Sequence, residues 1–434
     1  MYYDTDMLTP NGLSRVPVVK ESGILMRGVE AEFRLSPQIH TAYIGATGSG
    51  KTTGMLQMAR PMYRDMAQRQ AGCHVYFDPK DDFSRALAGP RDVVLGRTDH
   101  WNLLEEMMYG FTGETPFETV FERAAELSAL LFAPRLRPGI CGEQYFPKAA
   151  SSVLAGLLAV QTMEALEDPG LAGSLNNATL KDEINRATPQ RLLQRMAPYP
   201  QLESIRYHLS TSGEGDLTNE GNGVLSELTL MGRETFVGDY ARPGHFSVRR
   251  FLAEKNGNAL FLPFDPAMAR SQGTCCRAIV DLALQLSLAS GGNPGATAFF
   301  LEELPLISDP PLSNLNCTLN LGRGAGVSIL CAAQSVAQLH HLYGQAQAEA
   351  ILGGFGQKLF FAANDAAGAE YVRRQFGQAQ RVEYHFNAHG ERVCLQRLGN
   401  SVESWDLATL GLGEAIVGLG SLPPFRFRFA GGNS

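Results

Sequence analysis

The 434 residues are enough for two or three domains, and 44% hydrophobic against 19% charged residues excludes a disordered chain. A formal net charge of −7 excludes a broad basic face wrapped around nucleic acid, though not a narrow basic pore. The seven cysteines, at 73, 141, 275, 276, 317, 331 and 394, have neither metal-ligand spacing nor a disulfide framework. They read as reduced core residues of a cytosolic protein, and Cys275-Cys276 is the one pair suited by proximity to redox chemistry.

In chain order, Met1-Tyr2-Tyr3-Asp4-Thr5-Asp6 is polar and acidic, unlike a signal peptide. Thr41-Ala42-Tyr43-Ile44 reads as a short buried strand, and Thr53 to Ala59 as the opening turns of a helix. Between them, Gly45-Ala46-Thr47-Gly48-Ser49-Gly50-Lys51-Thr52 satisfies G-x-x-x-x-G-K-[ST], the phosphate-cradling P-loop, at every fixed position. Glycines let backbone N–H groups close on phosphate oxygens, and the helix N-terminus adds partial positive charge. Lys51 is expected at the β- and γ-phosphates of ATP and the Thr52 hydroxyl on Mg2+. Gly45, Ala46, Thr47, Gly48, Ser49, Gly50 and Thr53 complete the expected cradle. The bland alternative is a Gly-rich turn that binds nothing, and the strand–loop–helix context argues against it.

His74 to Phe77 reads as a second strand, ending in Asp78-Pro79-Lys80, and Asp92 to Leu95 as a third. From 112 to 235 strands vanish. Helical spacing runs through Phe117 to Phe132, Tyr145 to Leu166, Leu180 to Met196 and Val224 to Met231, between Pro- and Gly-containing breaks. The most apolar stretch, Ala149 to Met163, is broken by Ser151, Ser152 and Gln161 and falls short of the roughly 18 residues of a spanning helix. It reads as a buried helix in a soluble, cytoplasmic protein. After 236 the α/β alternation returns, with a helix at Cys275 to Ala289. Strands are expected at Ala259 to Leu262, Thr297 to Leu301, Val327 to Cys331, Lys358 to Phe361 and Ala415 to Val417. The expected fold class is α/β, a mainly parallel sheet with helices on both faces, formed by 1–111 and 236–434. An all-α domain, 112–235, interrupts it.

The strand Phe299-Phe300-Leu301 ends in Glu302-Glu303, the Walker B arrangement. Glu302 is expected to help hold Mg2+ through water, and Glu303 to polarise the attacking water as general base. Ligands of open α/β sheets bind at the carboxyl ends of strands, which puts both acids beside the P-loop. Alone, two acids at a strand end are as well read as a surface cap. Gln334 follows the next strand, where an amide can report the γ-phosphate. Arg323, in the run Gly322-Arg323-Gly324-Ala325-Gly326, reads either as a surface charge or as an arginine finger for a neighbouring subunit.

These residues resemble the type IV secretion coupling proteins, the TraG/TraD-type ATPases of bacterial conjugation. The resemblance is carried by Glu302-Glu303, the Gly322 to Gly326 run, Gln334-Ser335-Val336-Ala337-Gln338-Leu339, Tyr343-Gly344, Phe355-Gly356-Gln357-Lys358 and Ala369-Glu370-Tyr371-Val372. Upstream, the P-loop, Asp78-Pro79-Lys80, Trp101-Asn102-Leu103 and Phe246-Ser247-Val248-Arg249 are similar too, so it spans roughly residues 22 to 429. It implies a RecA-like motor domain with an inserted all-α domain, assembled as a homohexamer with ATP between subunits and DNA moved through the centre. By motif position it implies nucleotide-site roles for Lys51, Thr52, Glu302, Glu303 and Gln334, and a trans-acting role for Arg323.

The sequence departs from the family pattern in lacking N-terminal transmembrane helices and in having Glu302 where Asp is usual. It also ends soon after Arg426-Phe427-Arg428-Phe429. The first departure leaves a trimmed chain, a soluble member, or recruitment to the inner membrane by an anchoring partner; relaxase and secretion-channel proteins are further expected partners. Two other readings stand beside the coupling protein: an FtsK/HerA-like double-stranded DNA motor, and a receptor ATPase for protein substrates. Arg249-Arg250 and Arg373-Arg374 are pore-lining candidates equally well read as solvated charges.

Overall fold

A computed structural model describes residues 23–136, 144–209, 218–289, 295–363, 365–386, 392–420 and 422–431. Met1 to Asp6 and Cys141 lie outside them. The strands are β1 (Ile24–Arg27), β2 (Glu32–Leu35), β3 (Thr41–Ile44), β4 (Gly72–Asp78), β5 (Val93–Val94), β6 (Asn256–Pro263) and β7 (Thr297–Leu301). They continue with β8 (Val327–Ala333), β9 (Gln357–Phe361), β10 (Gln378–Phe386), β11 (Arg392–Asn400), β12 (Glu414–Leu419) and β13 (Phe425–Arg428). Nine of them form one sheet in the order β13-β12-β9-β3-β8-β7-β4-β6-β5. From β9 to β5 every neighbour is parallel, and β12 and β13 add an antiparallel edge. The hairpins β1–β2 and β10–β11 pair separately, and nothing in the sequence reading anticipated them.

Both faces of the sheet are buried because alternate residues of each central strand serve different cores. Val75, Phe77, Phe299, Leu301, Leu260 and Leu262 join a core shared with the helices that follow β5. Tyr76, Phe300 and Phe261 face the other way, onto Met55, Met58 and Ala59 of α1 (Lys51–Arg69). The Tyr76 ring stacks between Phe261 and Phe300 at 4.7 and 4.6 Å. Each such ring contributes about 1.5–3 kcal/mol by leaving water, which fixes the three central strands in register and holds their tips together.

Between β5 and β6 the described residues form helices and no strand. They include α3 (Leu103–Met108), α4 (Phe117–Phe132) and α5 (Tyr145–Glu167), while the short α2 (Asp82–Leu87) precedes β5. Two expectations are corrected here. Leu180 to Met196 is two helices, Asn177–Asn185 and Pro189–Met196: Thr188, extended before Pro189, caps the second by accepting from the Arg191 N–H. The apolar stretch is also longer than expected. At 23 residues and mean hydropathy 1.4, α5 is long and apolar enough to cross a membrane by length and composition, yet 72% of that window is buried inside the protein. Its polar residues do not interrupt it, because they have partners: the Ser151 hydroxyl lies 2.9 Å from that of Ser128, Ser152 donates to the Lys148 carbonyl of its own helix at 3.2 Å, and the Gln161 amide donates to Glu183.

Candidate nucleotide site

The loop between β3 and α1 is held on three sides. Gly45 N–H donates to the Ala333 carbonyl at the tip of β8 (3.1 Å), Ala46 N–H to Ala362 beyond β9 (2.8 Å), and Gly413 N–H to Ser49 (3.0 Å). Gly50, immediately before α1, has φ 105, and a Cβ there would meet the Gly413 Cα at 2.8 Å, so glycine is required twice over. No side chain caps the helix and no acid sits in its first turn. Its N–H groups and positive dipole end are therefore free to meet an anion. Lys51 is buried, and its Nζ donates to the carbonyls of Gly45 (2.5 Å) and Ala46 (2.9 Å). That burial lowers the ammonium pKa from its ordinary value. Ala46, Thr47 and Gly48 form the exposed crest of the loop, Ser49 is buried within it, and Thr52 and Thr53 are half-buried at its exit.

Glu302 and Glu303 follow β7 and lie beside this loop. Glu302 Oε1 accepts from Thr52 Oγ1 at 2.8 Å and from Lys80 Nζ at 3.3 Å, while its Oε2 is buried without a partner. Glu303 is 6% exposed, its Oε1 likewise has no partner, and the Gln334 side chain lies beside the carboxyl and favours its charged form. Burial raises the pKa of both acids; Thr52 and Lys80 oppose the shift at Glu302, and Gln334 with the Lys51 and Lys80 charges opposes it at Glu303. Two orphaned carboxylate oxygens next to a hydroxyl form an all-oxygen donor set that suits a hard divalent cation. Among the described residues no three His, Cys, Asp or Glu side chains group as a metal cage. Such a set fits Mg2+, which keeps much of its water and takes further ligands from phosphate.

The geometry thus groups Lys51, Thr52, Glu302, Glu303 and Gln334. Arg323 is elsewhere. It lies exposed in the turn Gly322–Ala325 at the amino end of β8, while Gln334 follows the carboxyl end. Seven strand residues separate the two by about 23 Å. Beneath β3, His40 is pushed down to about 4 by burial first and the Arg323 charge second.

Lys80 is the neighbour that the sequence reading quoted without a role. It stands in a turn built by Asp78, whose buried carboxylate accepts from the N–H groups of Phe83 (3.1 Å) and Ser84 (2.7 Å). The signal was there: a basic residue two positions past a strand tip in a parallel sheet falls on the ligand edge. Beside Thr53, a cavity of about 520 Å³ opens along α1, lined by Arg27, Gln57, Arg60 and Ala430. The pore candidates are otherwise engaged: Arg249 pairs with Glu126, Arg250 with Glu105, Arg373 with Glu370 and Arg374 with Glu349. Cys275 and Cys276 are fully buried, and burial pushes the Cys276 thiol up to about 12, which suits packing rather than redox exchange.

Residues 227–392 match the family described as the type IV secretion-system coupling protein DNA-binding domain. Among solved structures, the unbound bacterial conjugative coupling protein TrwBdeltaN70 is similar at TM-score 0.71 and 19% identity, over 95% of this chain and 90% of that one. The plasmid coupling protein TrwB in complex with ADP and Mg2+ gives 0.69 and 18%, over 95% and 90%. VirB4 of Thermoanaerobacter pseudethanolicus gives 0.55 and 12%, over 96% and 98%. No curated protein matches the chain in sequence. The fold is that of a RecA-like P-loop ATPase carrying an all-α segment, and the resemblance to the coupling proteins stands.

Proposed function

We propose that this chain, whose residues 227–392 match the coupling-protein DNA-binding domain, is an ATP-hydrolysing coupling protein that moves DNA toward a type IV secretion channel. The observation that carries the reading is the 2.8 Å hydrogen bond from Thr52 to Glu302, with Gln334 on Glu303 beside it. It joins the P-loop, the Walker B acids and the following strand tip at one point. A structurally similar protein was solved with ADP and Mg2+, which supports the same ligands here.

In this reading Lys51 leaves the loop carbonyls for the β- and γ-phosphates, and the N–H groups of residues 45–53 take the remaining oxygens. Thr52 and Glu302 would hold Mg2+, which when bound neutralises charge on the phosphates. Glu303 takes a proton from the attacking water, and Gln334 fixes the carboxylate that does so. Ribose and base go to the cavity beside Thr53. Segments 1–111 and 236–434 are the motor, 112–235 the all-α domain. The motor acts as a homohexamer whose Arg323 serves the next subunit, working on the cytoplasmic side with relaxase and channel proteins as partners.

ATP turnover with and without single- and double-stranded DNA, at low and high salt, tests this. DNA should raise turnover regardless of its sequence, with the gain shrinking as salt releases the phosphate contacts. Turnover indifferent to every DNA would reject the translocase reading.

A further inference from the structure

Lys80 shares with Thr52 the Oε1 atom of Glu302. Its Nζ lies 3.3 Å from Glu302 Oε1, and its side chain is 51% exposed while that of Glu302 is 1% exposed. One end of the pair is therefore fixed and the other free to swing. The backbone beneath it is not free. Asp78 is fully buried and bonds two N–H groups of the turn, Asp81 has φ 59, and its carboxylate pairs with Arg97 at 2.5 Å. A strand tip this constrained presents one flexible ammonium toward the edge where Lys51, Glu302 and Glu303 converge.

We propose that Lys80 is a terminal-phosphate-binding residue, held by Glu302 in the arrangement seen here and transferred to the γ-phosphate when ATP binds. This rests on the nucleotide-site reading above. The physical drive is charge. A divalent cation at Thr52 and Glu302 repels a neighbouring ammonium, and a γ-phosphate supplies the anion that takes it up. The P-loop lysine and helix dipole serve ADP and ATP alike, so Lys80 would let the site tell them apart. Its turn also walls a cavity of about 360 Å³ with Arg97, Asp239 and Tyr240.

The test is equilibrium binding of fluorescent ADP and of a non-hydrolysable ATP analogue, each with Mg2+, to the full chain and to Lys80→Met and Lys80→Arg. Lys80→Met should leave ADP affinity unchanged or slightly tighter and weaken the ATP analogue about tenfold, the loss expected of one charge-assisted hydrogen bond. Lys80→Arg should keep most of the preference. An unchanged ratio of the two affinities in Lys80→Met overturns the proposal. Equal loss for both nucleotides also overturns it, because that assigns Lys80 to holding the site together. Lys51→Ala is the control for the underlying reading: if it binds both nucleotides normally, the site itself is misassigned, whatever Lys80 does.

Discussion

Gln334 and Arg323 stand at the two ends of the same strand. β8 is buried along all seven residues, paired in parallel with β3 on one side and β7 on the other. Gln334, past its carboxyl end, lies beside Glu303, and Arg323, before its amino end, is exposed. About 23 Å of rigid strand lies between them. Arg323 is therefore out of reach of the phosphates bound by its own P-loop, and any action on a nucleotide must be on that of another subunit.

If Arg323 acts in trans, Arg323→Ala should lower turnover by about 10³- to 10⁵-fold with nucleotide affinity kept. Lys51→Ala should be inactive for a different reason. Mixed, the two inactive proteins should recover part of the ATPase activity wherever an intact P-loop meets an intact arginine. A mixture as inactive as its components, or specific activity independent of protein concentration, would sink the trans assignment.

The split between Lys51 and Glu303 is a second expectation. If Lys51 contacts the phosphates already in the ground state, as proposed, Lys51→Ala should abolish detectable nucleotide binding. If Glu303 acts only on water, as proposed, Glu303→Gln should bind nucleotide as before and hydrolyse it about 10²- to 10⁴-fold more slowly. Nucleotide titration together with single-turnover hydrolysis separates the two. Normal hydrolysis by Glu303→Gln would remove it as the base.

Most of the site could be read beforehand because its residues sit at the ends of strands with unmistakable periodicity. Thr41 to Ile44, His74 to Phe77 and Thr297 to Leu301 are short apolar runs buried on both faces, and the P-loop, Asp78-Pro79-Lys80 and Glu302-Glu303 follow at their carboxyl ends. What escaped was non-local. Gly413 closes on Ser49 from 364 positions away, and the engagement of Arg249 with Glu126 depends on a helix far upstream. The β10–β11 hairpin alternates Val382, Tyr384 and Phe386 with Arg381, Glu383 and His385, a strand signal that the sequence reading passed over. Ser151, Ser152 and Gln161 do not shorten α5, because neighbouring helices satisfy Ser151 and Gln161 and the Lys148 carbonyl of α5 itself satisfies Ser152.

The last expectation concerns acid. His74 lies inside the sheet, with Nδ1 2.9 Å from the Tyr76 hydroxyl and its ring 5.4 Å from that of Phe300. Burial lowers its pKa from 6.5 to about 3, and His40 is lowered in the same sense to about 4. The unfolded chain therefore takes up these protons first. The contribution of His74 is fully present above 6.5 and is lost as pH falls toward 3, with a slope approaching about 1.4 kcal/mol per pH unit. Buried acids such as Asp78 and Glu106 have raised pKa values and act in the opposite direction, since protonation favours their folded form. Comparing His74→Gln with the parent chain cancels those terms. Urea unfolding at neutral pH and at about pH 5 should show the variant less stable at neutrality, through lost packing, but with a shallower decline into acid. An equal decline in both proteins would mean that His74 is already protonated in the folded state, and that burial does not hold it neutral.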